Sequence, residues 1–342
     1  MSTNSPRRVV ITGATGNLGT SLVRVLSEAE EIGSVVGLAR RTPAWTPAKT
    51  EWVRADVAEE TEGLVRIFTG ADAVVHLAWR FQPTRDPVAT WRANVLGSLS
   101  VFDAVASAGV PVLVHASSVG AYSPGSKGQA VDESWPTHGW PTASYCREKA
   151  YLERVLDAFE PARPQIRVVR MRPAFLFKEE AASEQRRIFG GRFLPGQLIR
   201  PELLRLLPSI PGLRFQALHT DDAARAFRLA LTSDVRGAFN LAAEPPIDAE
   251  LLGELFQTKV VPVPGSVVRS TLSAAWHLHL AGASPQLLDA VLRLPLMDCS
   301  RAHQDLGWET EHSAADALKE VLSGMRSGKG MDTPPLVGHK AH

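Results

Sequence analysis

Residues 8–26 read RVVITGATGNLGTSLVRVL. Val9, Val10 and Ile11 form a β-branched run suited to a buried strand. Gly13, Gly16 and Gly19 then recur at intervals of three, and Leu18, Leu22 and Leu26 take up helical spacing behind them. A strand that turns tightly into a helix aims several backbone N–H groups at one point, where the helix dipole adds positive potential. Glycine lets that turn fold sharply and lets a diphosphate approach the backbone. The spacing is G-x-x-G-x-x-G, not G-x-G-x-x-G, so the glycines alone fit a nucleotide-binding turn or an ordinary one. The strand before them and the amphipathic helix after them favour the first.

The rest of the chain keeps this rhythm. SVVGLA, EWVRADV, ADAVVHLA, VPVLVHASS and QIRVVRMRP are short apolar runs, with helical patterns in TWRANVLGSLSVFDAVASAG and ASYCREKAYLERVLDAFE between them. Alternation of this kind predicts an α/β fold, a parallel sheet with helices on both faces and right-handed crossovers. After Pro173 the order changes. Residues 178–216 are rich in Arg, Pro and Gly, LHTDDAARAFRLALTS returns as a helix capped by Asp221 or Asp222, and GAFNLA reads as one more strand.

A chain of 342 residues with 44% apolar content can build a large core. Its net charge of +1 gives no field that would draw nucleic acid or an anionic membrane. Two cysteines, Cys146 and Cys299, make no disulfide framework. No apolar run reaches membrane-spanning length, and the basic start lacks a leader's cleavage site, so a cytoplasmic location is expected.

TGATGNLG, HASSVGAY and YCREK together resemble the short-chain dehydrogenase/reductases, and more narrowly their extended branch of nucleotide-sugar epimerases and dehydratases. The likeness continues through RMRP and HTDDAARA. It implies a Rossmann-type doubly wound sheet with a smaller, discontinuous C-terminal substrate domain. On that reading residues 1–173 plus 217–242 form the dinucleotide-binding domain, 174–216 plus 243–325 the substrate region, and 326–342 a flexible tail. It also implies a Ser-Tyr-Lys catalytic set, here Ser118, Tyr145 and Lys149, and a homodimer.

Tyr145 and Lys149 stand four apart, on one face of a helix. A phenol titrates near pH 10, and a neighbouring ammonium is expected to lower it toward the working range. Ser118 is preferred to Ser117 because the family's serine stands four before the tyrosine of SVGAY. Its hydroxyl would steady charge on a carbonyl oxygen.

The resemblance places the cofactor on Gly13, Thr15, Gly16, Asn17, Leu18 and Gly19, on Tyr145 and Lys149, and on Leu77 and Ala78 of HLAW. Asp56, Val57, Asn94 and Pro173 complete the set, although Asp56 also reads as a surface aspartate and Asn94 as an ordinary helix polar residue. Arg40 and Arg41, in place of an acidic residue after the second strand, favour NADP(H) over NAD(H), because arginine accommodates a 2′-phosphate; a solvated basic loop is the other reading.

Trp79, Trp135 and Trp140 are core packing or a substrate wall. His277 and His279 lack companions at metal spacing, and no metal is expected. Arg214 stands five before His219, where the family's diphosphate arginine stands four before, and Arg186, Arg187, Arg192 and Arg200 offer other phosphate partners. No Asp-Glu pair follows Ser118, which argues against a dehydratase. Three functions stay open: a reductase or dehydrogenase of a small carbonyl or alcohol, an epimerase of a sugar nucleotide, and a non-catalytic NADPH-binding sensor or assembly subunit.

Overall fold

The computed structural model describes residues 7–59, 61–82, 85–190 and 206–338. Seven strands make its central sheet: β1 (Arg7–Thr12), β2 (Ile32–Ala39), β3 (Thr50–Arg54), β4 (Ala73–His76), β5 (Val112–Ala116), β6 (Arg167–Pro173) and β7 (Gly237–Leu241). All pair in parallel, in the order β3-β2-β1-β4-β5-β6-β7. The order reverses between β1 and β4, and a doubly wound sheet opens its ligand crevice at the carboxyl ends of the strands at such a point.

Side chains alternate across the sheet. Val9 and Ile11 of β1 face one core with Leu22 and Leu26 of α1 (Asn17–Glu28), whereas Val10 faces the other with Phe68 of α2 (Thr61–Phe68) and Phe102 of α3 (Gly97–Ser107). Burying each such side chain is worth about 1.5–3 kcal/mol, so the β1–α1 unit is anchored on both faces. The sheet is flanked further by α4 (Ser144–Ala162) and α5 (Thr220–Thr232). Every strand expected from the sequence up to GAFNLA is present. The helix α2 was not anticipated. Its eight residues are too few for the periodicity to separate it from a loop.

Three differences have physical causes. First, the helix of TWRANVLGSLS is interrupted by a wider turn at Arg92–Leu96, which buries Asn94. Second, neither Asp221 nor Asp222 caps α5. His219 does, through an Nδ1 that accepts the Asp221 N–H at 3.3 Å. Asp222 is instead buried and paired with Arg225 and His312, and Asp221 accepts from Ser21. Third, the tail expected to be flexible is packed as far as it is described. Helix α6 (Ala314–Ser327) overruns its start, and Thr333 and Leu336 beyond it are fully buried; residues 339–342 of that tail lie outside the described residues. Among the described residues no helix is long and apolar enough to cross a membrane.

Candidate active site

At the carboxyl ends of β1 and β4 lies a cleft of about 900 Å³. Its floor begins with the glycine turn. Gly13 has φ +71°, and a Cβ there would meet Ala78 N at 2.6 Å, so this glycine lets the turn lie against the chain leaving β4. A Cβ on Gly19 would strike the Gly13 carbonyl and Ala14, so that position serves helix–strand packing. Gly16 differs: its Cβ would meet only Gly13 O, at 3.5 Å, and would otherwise stand in the cleft. The protein's own packing does not require a glycine at 16; an approaching ligand would.

Gly16 also begins α1, whose first turn has neither a side-chain cap nor an acidic residue. Uncapped N–H groups at a helix start suit an anion. The donor set and the open space at Gly16 therefore fit a dinucleotide diphosphate. Thr15, Asn17 and Leu18 line the same stretch. Asn17 donates from Nδ2 to Leu176 O at 3.1 Å, which ties the turn to the segment after β6.

The remaining expected cofactor contacts all border this cleft. Arg40 and Arg41 follow β2, are exposed, and make no ion pair among the described residues. Asp56 closes a turn by accepting Ala58 N at 3.1 Å, and Val57 lies beside it. Leu77 and Ala78 are held by Thr12, whose hydroxyl accepts Ala78 N at 3.3 Å and bonds His76 Nδ1 at 2.7 Å. Burial and the Lys149 charge push His76 down to about 3, so it stays neutral in this chain of bonds. Pro173, the last residue of β6, also lines the cleft.

Ser118, Tyr145 and Lys149 meet at the far end. Ser118 follows β5, accepts Gly120 N at 3.0 Å, and hydrogen-bonds the Tyr145 hydroxyl. Ser117 points away into a buried network, donating to Glu153 Oε1 at 2.5 Å. Gly120 was not singled out in the sequence, yet a Cβ there would meet the Tyr145 ring at 2.7 Å. It is the small residue that lets the phenol sit against the strand end.

The electrostatics correct one expectation. Tyr145 is not lowered. Burial drives its phenol well above the ordinary range, and the Ser118 hydrogen bond opposes this only in part. Lys149 spends its charge elsewhere: Nζ donates to Ala116 O at 2.7 Å and lies 3.5 Å from the Trp79 ring centre. Burial pulls the lysine down to about 7, with Glu148 and Glu153 opposing. A neighbour four residues away on a helix is close in sequence geometry, but desolvation outweighs it here.

Other groups emerged only from the folded chain. Glu148, inside YCREK, is buried and accepts from Asn94 Nδ2 and Thr90 Oγ1, each at 2.6 Å. Asn94 in turn bonds both the N–H and the carbonyl of Arg80, so it lines the cleft and also fixes the loop after β4. Trp79 and Phe81 flank the Tyr145 ring at centroid distances of 5.6 and 5.3 Å, and Phe189 extends the wall 5.5 Å beyond Phe81. Of the three tryptophans considered as a substrate wall, Trp79 lines the cleft, while Trp135 is an exposed side chain bonded to Ser123 O and Trp140 stacks under Arg293.

Arg214 does not line the cleft either, and donates to Lys127 O at 3.0 Å. Arg187 holds backbone carbonyls near the chain end. Arg192 and Arg200 lie outside the described residues. One group of metal-ligating type, His219, His312 and Glu320, clusters at the start of α5. His219 caps the helix with Nδ1 and bonds Glu320 with Nε2 at 3.0 Å, and His312 bonds Asp222, which accounts for the grouping.

The fold and this cleft define a dinucleotide-binding α/β protein. The chain belongs to the NAD dependent epimerase/dehydratase family, whose model matches residues 9–242. An uncharacterized protein of Mycobacterium tuberculosis is 26% identical over 95% of this chain, which spans only 31% of that relative's length. The 4-hydroxy-2-methyl-3-oxo-4-farnesyl-3,4-dihydroquinoline-1-oxide ketoreductase of Stigmatella aurantiaca is 25% identical over 92% of this chain and 96% of its own. Among solved structures, the UDP-glucose 4-epimerase of Thermus thermophilus in complex with NAD shares the fold, with a TM-score of 0.68 at 20% identity over 93% of this chain and 99% of that one.

Proposed function

We propose that this protein is an NAD(P)H-dependent oxidoreductase that interconverts a carbonyl and an alcohol on an apolar small molecule. The observation that carries the reading is the meeting of Ser118, Tyr145 and Lys149 at one end of the cleft that begins at the glycine turn. When bound, the nicotinamide dinucleotide supplies hydride chemistry. Gly13 to Gly19 would hold its diphosphate, and Lys149 would reach its ribose, as it does in the family the sequence resembles.

The rest falls to the chain. Ser118 and Tyr145 orient a carbonyl oxygen through hydrogen bonds, and Tyr145 donates its proton as that oxygen gains charge. The raised phenol remains protonated at neutral pH, which suits the reducing direction. Trp79, Phe81 and Phe189 exclude water beside the reacting carbon and favour an apolar body. The ketoreductase relative supports this choice. The epimerase reading draws support from the Thermus thermophilus neighbour, but Arg214, the arginine nearest the family's diphosphate position, is engaged with Lys127 outside the cleft.

For the cofactor, the exposed Arg40 and Arg41 favour a 2′-phosphate. One experiment tests both parts: titrate NADPH and NADH, then follow reduced-cofactor oxidation with hydrophobic ketones and with UDP-sugars. The expected result is NADPH-dependent ketone reduction, with Arg40→Ala/Arg41→Ala raising the NADPH dissociation constant about tenfold or more and leaving that for NADH nearly unchanged. Equal effects on both nucleotides would defeat the phosphate assignment, and turnover confined to UDP-sugars would replace the oxidoreductase reading with the epimerase.

A further inference from the structure

The end of the chain returns to its beginning. Beyond α6 the backbone doubles back on itself, with Met331 N donating to Leu336 O at 3.0 Å and Leu336 N to Thr333 O at 2.9 Å. Gly330 and Gly338 pack backbone to backbone, and a Cβ on Gly330 would collide with Gly338 N and Leu336 O. This compact strap is fastened at two sides of the cleft. On one side the buried Thr333 hydroxyl donates at 3.0 Å to the carbonyl of Thr15, inside the glycine turn. On the other, Ser183 Oγ donates to Lys329 O at 2.7 Å, and Arg187 Nη1 and Nη2 hold Val337 O and Pro335 O at 3.0 and 2.5 Å. Pro334 and Pro335, between the fastenings, line the cleft.

Gln185 gives an independent sign of a ligand at this place. It sits between the anchors Ser183 and Arg187, is only 6% exposed, and lines the cleft. Its Nε2 donates to Leu176 O at 2.6 Å, but its Oε1 is buried without a partner among the described residues. An unmet buried acceptor costs about 1–3 kcal/mol, a cost that a donor on a bound molecule would remove.

We infer that residues 329–338 complete the dinucleotide site as a fixed wall over the glycine turn, and that they slow the release of the bound pyridine dinucleotide. The inference rests on the proposed cofactor reading and goes beyond it by assigning the binding role of a segment far outside the sheet. The strap joins the diphosphate turn to the segment that lines the substrate end, so dissociation requires that the link be opened. Thr333, Pro334 and Pro335 act by closure and not by charge.

The test uses the full-length chain and two readouts besides activity. Hydrogen–deuterium exchange of residues 329–338 is measured with and without NADPH, and NADPH release is timed by stopped-flow fluorescence. Gly330→Ala displaces the strap from outside the cleft, and Thr333→Val removes only the bond to Thr15. The expected result is slower exchange in the strap on adding NADPH, release about tenfold faster in Gly330→Ala, and a smaller change in the same direction in Thr333→Val. If Gly330→Ala does not fold, Thr333→Val decides. Unchanged strap exchange together with wild-type release rates, in an intact chain that binds NADPH, would overturn the wall while sparing the cofactor reading. Failure of the intact chain to bind either NADPH or NADH would overturn both.

Discussion

Tyr145→Phe is expected to cut turnover by about 10²- to 10⁴-fold, the usual worth of a positioned acid or base. Phenylalanine keeps the ring that fits over Gly120 and between Trp79 and Phe81, so the pocket retains its shape. Only the hydroxyl bonded to Ser118 is lost. Nucleotide affinity should therefore stay within about threefold of the wild type, a change of well under 1.4 kcal/mol. Steady-state rates paired with a binding titration separate the two effects. Wild-type turnover in the variant would remove Tyr145 from the mechanism, whereas equal losses of affinity and rate would make it a packing residue.

The second large effect concerns stability. Glu153 of α4 is buried near the carboxyl ends of β5 and β6, where Arg172 grips it from Nε and Nη2 and Arg170 from Nη1, each at 2.9 Å. Arg172 also donates to Tyr122, whose hydroxyl donates to Asn240 at 2.6 Å, so one carboxylate organises α4, β6 and β7. Removing it by Glu153→Ala leaves the buried Arg172 guanidinium with no carboxylate partner among the described residues, while Arg170 keeps Asp157 and Glu160, and should cost about 3–5 kcal/mol in the free energy of unfolding.

Burial alone would raise this carboxyl, but the hydrogen bonds and charge of Arg172, with Ser117 and Arg170, bring it down to about 2 from an ordinary 4.5. The native value lies below the unfolded one, so the stabilisation is complete above pH 4.5 and is lost as pH falls toward 2. Urea unfolding at pH 7 and at pH 3 checks both statements. The difference between wild type and Glu153→Ala should shrink at the lower pH. A variant as stable as the wild type at pH 7 would show that the network contributes nothing net.

How much of this could be read from the sequence follows from the range of each interaction. The strand–glycine–helix unit is local, and so is the Tyr145–Lys149 spacing; both signals lie within 20 residues. The parallel sheet with helices on both faces needed only the alternation of patterns, which does not by itself fix the strand order. What was hidden depends on residues brought together from afar. Glu148 sits in the quoted YCREK, but its caging by Thr90 and Asn94 arises only when the Arg92–Leu96 turn folds against α4.

The Trp79 face under Lys149 was hidden for the same reason. So was the strap, whose Thr333 meets Thr15 across nearly the whole chain. Its Gly- and Pro-rich composition matched that of an unfolded tail, and nothing local revealed the burial of Thr333 and Leu336. The expectation for the Tyr145 acidity failed differently. Tyr145 and Lys149 do stand on one helix, but the balance between charge and desolvation depends on burial, which a spacing does not state.

The glycine turn is the proposed seat of a dinucleotide diphosphate, and Gly16 tests that placement most directly. Its φ of −81° and ψ of −175° are open to any residue, and an added Cβ meets only ordinary contact at 3.5 Å. Gly16→Ala and Gly16→Val should therefore leave thermal unfolding close to wild type while occupying the space above the turn. Calorimetric titration with NADPH is the measurement. The predicted result is a graded loss of affinity, about tenfold or more for alanine and about a hundredfold or more for valine. Wild-type affinity in a folded Gly16→Val chain would mean that the diphosphate does not rest there, and the central claim would fail.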